Sequence, residues 1–521
     1  ESITEREPIS SSISSLYSDK KFDGVWKGHQ AEAGLDVDVR KSFAVGFRYK
    51  LNTFKFHTNE GNQDIYRSAE NKQDSAFYTT ESYDESEIGH QVNLFLDKKL
   101  DTLGRKISFN YNYNYFDNAG DGVLNNFYLT EDQQLGENYQ IFGFYYPTLF
   151  TLHVGRLDVE LPNIMKLDWE GGVKFSYINT HDELLYFPNE LEMMDTERSS
   201  TFDYTEKVLA FYTAIQKEWN KWMLKGGLRA EHTQREGSSY FFPGNSLFRR
   251  NYWSLFPSLF AQRKLNENHD FTLSYARRIE RPGFNTMRSL KVYSGPYTYF
   301  TGDPSLLPTF INSIETTYTW KNSYSLNLGY QHFKDIVQNL PFIDEEGLNG
   351  NTFQNLGSQH LFFVTLNLPF TISSWWTFQF DLNAYRKVIK ADENLENKDN
   401  YLKISMNQVF TLPKKYTLMI DGNYYSGFTS GLYTYRPFGA LSLTAKKSVW
   451  NEQGTISVQI SNLLNSRNSE RTAITPDFEE KFLYQGPAQT LQVSFAYNFS
   501  KGLEFKSRKR ESAAEEEESR R

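Results

Sequence analysis

Polar and apolar residues alternate along much of this chain with a period of two. In "ISFNYNYNYF" (Ile107–Phe116), Ile107, Phe109, Tyr111, Tyr113 and Tyr115 share one face, and Ser108, Asn110, Asn112 and Asn114 share the other. That is the signature of a strand with an apolar neighbour on one side and water on the other. "YSLNLGY" (Tyr324–Tyr330), "FTLSYARRI" (Phe271–Ile279), "WTFQFDLNA" (Trp376–Ala384) and "VSFAYNF" (Val493–Phe499) repeat it. These predicted strands run to roughly 10–16 residues, against about 5–6 in soluble sheets and about 9–11 for a tilted strand crossing a bilayer.

Tight turns fall at Val39–Ser42, Asp101–Gly104, Pro162–Lys166, Trp219–Trp222, Asn266–His269, Lys321–Ser323, Ser373–Ser374, Pro413–Lys415 and Asn451–Gly454. Between them lie long polar connections such as Asn59–Tyr83, Thr180–Ser200 and Arg281–Pro308. Short connections on one side and long ones on the other predict a transmembrane antiparallel β-barrel with periplasmic turns and outer loops. Trp219, Trp222, Trp320, Trp375, Trp376 and Trp450 all flank tight turns, six of the nine tryptophans. Their clustering on one rim reads as an interfacial girdle rather than as ordinary packing at a sheet end. Counting between turns gives about 19 strands from near Gln30 to Phe499, an odd number where bacterial single-chain barrels use even ones.

Composition agrees with a thin, one-sided sheet. Hydrophobic residues make up 39%, yet 16% are aromatic, with 42 Phe and 34 Tyr interleaved among polar residues. A net charge of −8 offers no nucleic-acid footprint. With no cysteine, thiolate metal sites, disulfides and cysteine nucleophiles are excluded. No run reaches the roughly 18–20 apolar residues of a membrane helix; "VLAFYTAI" (Val208–Ile215) is about as long as they get. The chain opens at Glu1 with neither Met nor signal peptide, which predicts a processed or truncated product.

Catalytic signatures are missing. "GFTSG" (Gly427–Gly431) places its serine one position late for a nucleophile elbow, and neither HExxH nor a Walker loop occurs. His57, His90, His153, His232, His332 and His360 fall singly on predicted strands and read as lumen-facing polar groups, so no metal site, cofactor or catalytic residue is assigned. Tyr83–Glu87, Asp344–Gly347 and Asp392–Asp399 lack the spacing of a calcium loop and read as solvated loop charge. The terminal "KSRKRESAAEEEESRR" has the block charge of a disordered tail. Arg281–Pro308 carries Arg288, Tyr293, Tyr297, Tyr299 and Phe300, a mixture suited to an outer-loop ligand contact, although architecture is the favoured reading of the block.

Phe256–Phe284 and Tyr293–Trp320 resemble the barrel of TonB-dependent outer-membrane receptors, closest to the outer-membrane β-barrel family abundant in Bacteroidota. The resemblance is carried by Arg278, Arg281 and Pro282, then Gly302, Asp303, Pro304, Leu306 and Pro308, then Glu315. Asp303 and Thr309 stand where relatives usually have Asn and Glu. "LQVSFAYNF" (Leu491–Phe499), with Phe495, Tyr497 and Phe499, is similar to a terminal strand bearing the barrel-assembly signal.

The resemblance implies a 22-strand barrel of which about three strands and the amino-terminal plug are missing. It implies import of a siderophore, glycan or peptide across the bacterial outer membrane. Its partners would be membrane lipid, the barrel-assembly machinery, a surface lipoprotein, and TonB only through the plug; no nucleic acid is expected. A plugless passive pore or secretion-type barrel is the alternative, and an outer-membrane enzyme ranks last. The expected domains are an irregular segment over 1–29, the barrel over 30–500 and a charged, disordered periplasmic tail over 501–521.

Overall fold

The computed structural model describes residues 2–9, 15–68, 72–188, 193–241, 244–392, 395–431, 433–474, 478–486, 489–498 and 512–521. They form one sheet of 26 strands, next to which the few short helices are minor. Successive strands pair antiparallel; Thr298–Phe300 beside Asn349–Asn351 is the parallel exception. The count exceeds the expected 19 partly because bends break long staves, as at Tyr416–Tyr425 followed by Phe428–Ser430. It also exceeds it because strands begin well before Gln30. Ser2–Pro8 and Ser15–Arg40 replace the irregular segment expected over 1–29.

Among the described residues the sheet is not closed. Thr490–Tyr497 pairs with Gly454–Ser461, and the inner part of Ser15–Arg40 pairs with Phe43–Arg67, but these two ends do not pair with each other. They are joined at the outer rim alone, where Ser2–Pro8 lies between Ser15–Arg40 and Phe478–Gln485.

Cross-strand rows show the two faces. Phe271, Tyr318, Leu326, Leu366, Leu382 and Ile404 stand side by side on the outer face. One residue along, Thr272, Thr317, Asn327, Thr365, Asn383 and Lys403 form the facing lumen row. There Thr317 donates to Asn327 at 3.3 Å and Thr365 to Asn383 at 2.9 Å. A period of two forces this sorting. In the opening stretch the asparagines point inward, with Asn112 and Asn114 fully buried, and Phe109 points outward and is exposed.

The expected tight turns are present at the inner rim, with Trp219, Trp222, Trp320, Trp375 and Trp450 exposed beside them. The outer connections differ from expectation. Gln73–Lys99 and Leu135–Ile164 have 27 and 30 residues, so most of Asn59–Tyr83 and Thr180–Ser200 is paired strand rather than loop. Backbone hydrogen bonding simply continues above the bilayer, because each polar stretch finds an equally long neighbour.

The histidines also differ from expectation. His90 and His153 lie on the outer face, in the rows Leu51–His90–Tyr115 and Tyr113–His153–Tyr177. Tyr49 and Tyr111 hydrogen-bond them at 2.7 and 2.8 Å, and Tyr330 does the same for His360 at 2.8 Å. An imidazole capped by a tyrosine hydroxyl is amphipathic enough for the membrane–water interface.

Candidate functional site

Arg281–Pro308 is the one expected outer connection that remains a loop, and it folds inward. After the strand His269–Glu280 it makes a short helix, Phe284–Met287, and a hairpin of Val292–Gly295 with Thr298–Phe300. Phe284, Met287, Leu290 and Leu306 are buried against Phe150, Leu152, Ile178, Phe202 and Tyr204, which project from the lumen face of the wall. On those strands both faces are therefore apolar. The run Val208–Ile215 fits this: Ala210 is fully buried inside while Phe211 is exposed outside.

The residues of the family block lie in the collar turn and the strands beside it. The Gly302 N–H donates to the Arg288 carbonyl at 2.7 Å, and that of Asp303 to the Thr286 carbonyl at 2.9 Å. A Cβ on Gly302 would fall 2.4 Å from the Arg288 oxygen, so only glycine permits this approach. Asp303 accepts the Ser305 N–H at 2.8 Å, a role asparagine fills equally well. Pro304 follows within that turn, and Leu306 and Pro308 are buried. Thr309 donates to the Asp335 carbonyl at 2.9 Å, and Glu315 accepts from Ser313 at 2.7 Å on the lumen face. Arg278 is exposed at its strand end, whereas Arg281 and Pro282 are buried.

Of the five candidate ligand contacts, four are engaged within the protein. Arg288 lies 3.0 Å from buried Asp182 and hydrogen-bonds the Tyr146 hydroxyl. The Tyr293 N–H donates to the Tyr186 hydroxyl at 3.0 Å, and Tyr299 donates to Asp344 at 3.0 Å. Phe300 packs edge-on against Phe353 at 5.7 Å. Tyr297 packs on Tyr66 and Phe77 yet stays 38% exposed.

Apart from Arg281, the charges at the centre of the lumen were not singled out from the sequence. Glu206, Glu231, Arg281, Arg235 and Lys174 are all buried, as is Tyr204. Tyr204 donates to Glu206 at 2.6 Å, Arg229 pairs with Glu231 at 2.5 Å, and Arg235 donates to the Leu306 carbonyl at 3.0 Å. The signal for Glu206 was present: it shares lumen parity with Phe202 and Tyr204, an acid in an apolar row.

The tail is the largest departure from expectation. Residues 512–521 lie inside the barrel rather than as a solvated periplasmic end, with Ala513 and Ala514 buried against the collar and a short helix over Glu515–Glu518. Its glutamates meet lumen cations, so block charge here marks complementarity rather than disorder. Two cavities flank it. One of about 610 Å³ is lined by Lys50, Glu85, Asn118, Tyr146, Arg288 and Arg521. The other, about 820 Å³ and nearer the inner turns, is lined by Lys106, Asp158, Lys174, Arg229, Glu515 and Glu516. Tyr83–Glu87 is not solvated loop charge either: Glu85 accepts from Asn118 at 2.5 Å and Glu87 pairs with Arg521.

Among the described residues no group of three or more His, Asp or Glu is arranged to hold a metal ion, and no helix is long and apolar enough to cross a membrane. Of the terminal-strand residues, Phe495 and Tyr497 lie on the exposed strand Thr490–Tyr497; Phe499 and part of Asp392–Asp399 lie outside the described residues.

A lipid-facing apolar belt, an inner tryptophan rim and a largely polar lumen define an integral outer-membrane protein of the β-barrel class. The chain belongs to the outer membrane protein beta-barrel family, whose model matches residues 98–497. No curated protein matches it in sequence. Its fold is similar to that of the ferric yersiniabactin uptake receptor FyuA from Yersinia pestis, at TM-score 0.53 and 12% identity, covering 96% of this chain and 80% of that one. It is also similar to the ferric-catecholate import receptor Fiu from K12 E. coli, at TM-score 0.53, 9% identity and coverage of 94% and 82%. For the siderophore receptor PiuA from Acinetobacter baumannii the values are 0.51, 11%, 93% and 81%.

Proposed function

We propose that this chain is the barrel of a TonB-dependent receptor that takes a scarce nutrient, of siderophore, glycan or peptide class, from outside the cell. The observation that carries the reading is the inward-folded collar Arg281–Pro308, which narrows a polar lumen and leaves a cavity of ligand size on its flank. That cavity combines Phe116, Tyr146 and Phe150 with Lys50, Glu85 and Asn118, a lining suited to a polar ligand with apolar parts. Likeness to FyuA, Fiu and PiuA supports the same class. In this reading Arg288, Tyr293, Tyr299 and Phe300 shape the collar, and exposed Tyr297 meets the ligand. TonB acts through a plug segment, lipid and the assembly machinery serve the barrel, and catalysis has no part.

The test is uptake of labelled ferric siderophores, oligosaccharides and peptides by cells with and without the gene, paired with equilibrium binding to the purified protein. Saturable binding and gene-dependent uptake of one class are expected. Absence of binding, together with a steady conductance in planar bilayers that no solute alters, would overturn the reading in favour of a passive pore.

A further inference from the structure

We propose that the lumen contains a peptide-binding site built on Glu206, Arg281 and the Pro282–Phe284 backbone, and that its ligand is the chain's own terminal segment Ser512–Arg521. Recognition is detailed. The Arg520 guanidinium meets both Glu206 oxygens, at 2.5 and 3.2 Å, in a fork that lysine cannot reproduce. Its Nε donates to the Pro282 carbonyl at 3.2 Å, its own carbonyl accepts the Phe284 N–H at 2.9 Å, and the guanidinium lies 4.4 Å over the Phe284 ring.

Further along, Glu516 accepts from Arg281 at 2.6 Å and Glu517 pairs with Lys174 at 3.0 Å. At the other end, Asn112 donates to the Ser512 hydroxyl and accepts the Ala513 N–H, both at 3.1 Å. The step from Asn498 at the inner rim to Ser512 can span up to about 50 Å when extended, ample for this placement.

Charge explains which peptide the site accepts. Glu206 is 1% exposed, and Arg520 is the cation paired with it. A seated peptide lacking a guanidinium would cover the carboxylate with the Tyr204 hydroxyl and the neighbouring Arg281 charge as its remaining partners, an unfavourable exchange. The site therefore selects an arginine-bearing peptide whose preceding acids match Lys174 and Arg281. Seated there, the terminus partitions the lumen between the two cavities. This does not depend on which solute the barrel carries.

The absence of cysteine makes the test clean. Asn112→Cys with Ser512→Cys in the intact chain, in outer membranes, should oxidise to an intramolecular disulfide. Adding Arg520→Ala or Arg520→Lys should lower the yield about tenfold, the loss of one charged, forked interaction. The synthetic decapeptide SAAEEEESRR should compete, and its Arg-to-Lys counterpart at the Arg520 position should not. The tail substitutions leave the barrel wall untouched, so heat-modifiable folding should persist. Cross-linking no greater than for Ser512→Cys paired with a cysteine at an inner turn would overturn the proposal. Equal cross-linking with Arg520→Lys would also overturn it.

Discussion

Two parts of the wall carry the same alternation and end in different states. Across the middle of Lys106–Phe241 the lumen face is covered: Asn112, Leu152, Ile178 and Phe202 are all essentially buried, because the collar and the terminal segment lie on them. Along Thr309–Val449 the lumen face stays half-exposed, as at Asn327, Thr365 and Asn383. Alternation therefore decides which way a side chain points. What it meets there is decided by segments distant in sequence.

The sharpest test of that contrast is Arg288→Ala. It leaves Asp182 buried with only Thr148 and Thr180 as donors and should cost about 3–5 kcal/mol. Denaturant unfolding followed by heat-modifiable mobility measures it. Leu326→Arg attacks the opposite face on the open side. A mid-membrane arginine costs ~2–4 kcal/mol, so folded barrel yield should fall, and normal yield would show that the lipid row is misassigned.

A matched pair comes next. Asn112→Ala strips partners from Ser512 and Ala513 in a sealed place and should cost about 1–3 kcal/mol, whereas Asn383→Ala opens a wet hydrogen bond and should cost under ~1 kcal/mol. Equal losses would erase the contrast between the two walls.

The smallest effect is that of acid. Burial raises the Glu516 carboxyl, but Arg281, Lys174 and Arg229 outweigh it and hold the group below the ordinary glutamate range. A lowered value in the seated state means its contribution is complete above the ordinary glutamate range and fades as pH falls through the lowered one. The mobility of a spin label attached beforehand at Ser512→Cys should therefore rise modestly in that acid window and not in neutral or alkaline buffer.

Much of the barrel was legible because its physics is local. Period two, tight turns and the placement of Trp219, Trp222 and Trp450 each follow from neighbours in sequence. The height of the strands was not legible, since Asn59–Tyr83 is polar in composition and becomes strand only by pairing along Phe43–Arg67 and Gln73–Lys99. Facing was misjudged for His153, where the hydroxyl of Tyr111 makes an outward imidazole tolerable. At the site, Gly302 and Leu306 are read from the sequence as architecture, and in the fold they lie in the turn and core of the collar. Glu206 and Arg520 meet across the chain, and no local pattern joins an acid in one strand to an arginine at the far end.

The distance between the tryptophan rim and the tyrosine–histidine rim sets how the molecule sits at the cell surface. From Trp222 to His232 along one strand, about 3.3 Å per residue at a tilt near 40° gives roughly 25 Å of height, the thickness of the apolar band in outer-membrane barrels. The same strand continues upward to Phe241. Hydrogen-bonded staves thus rise above the lipid as a turret, closed by compact tips such as Thr130–Gln134 and Asp344–Leu348. Where the residues are described, an antibody, phage or protease approaching the cell would encounter paired strand rather than open loop.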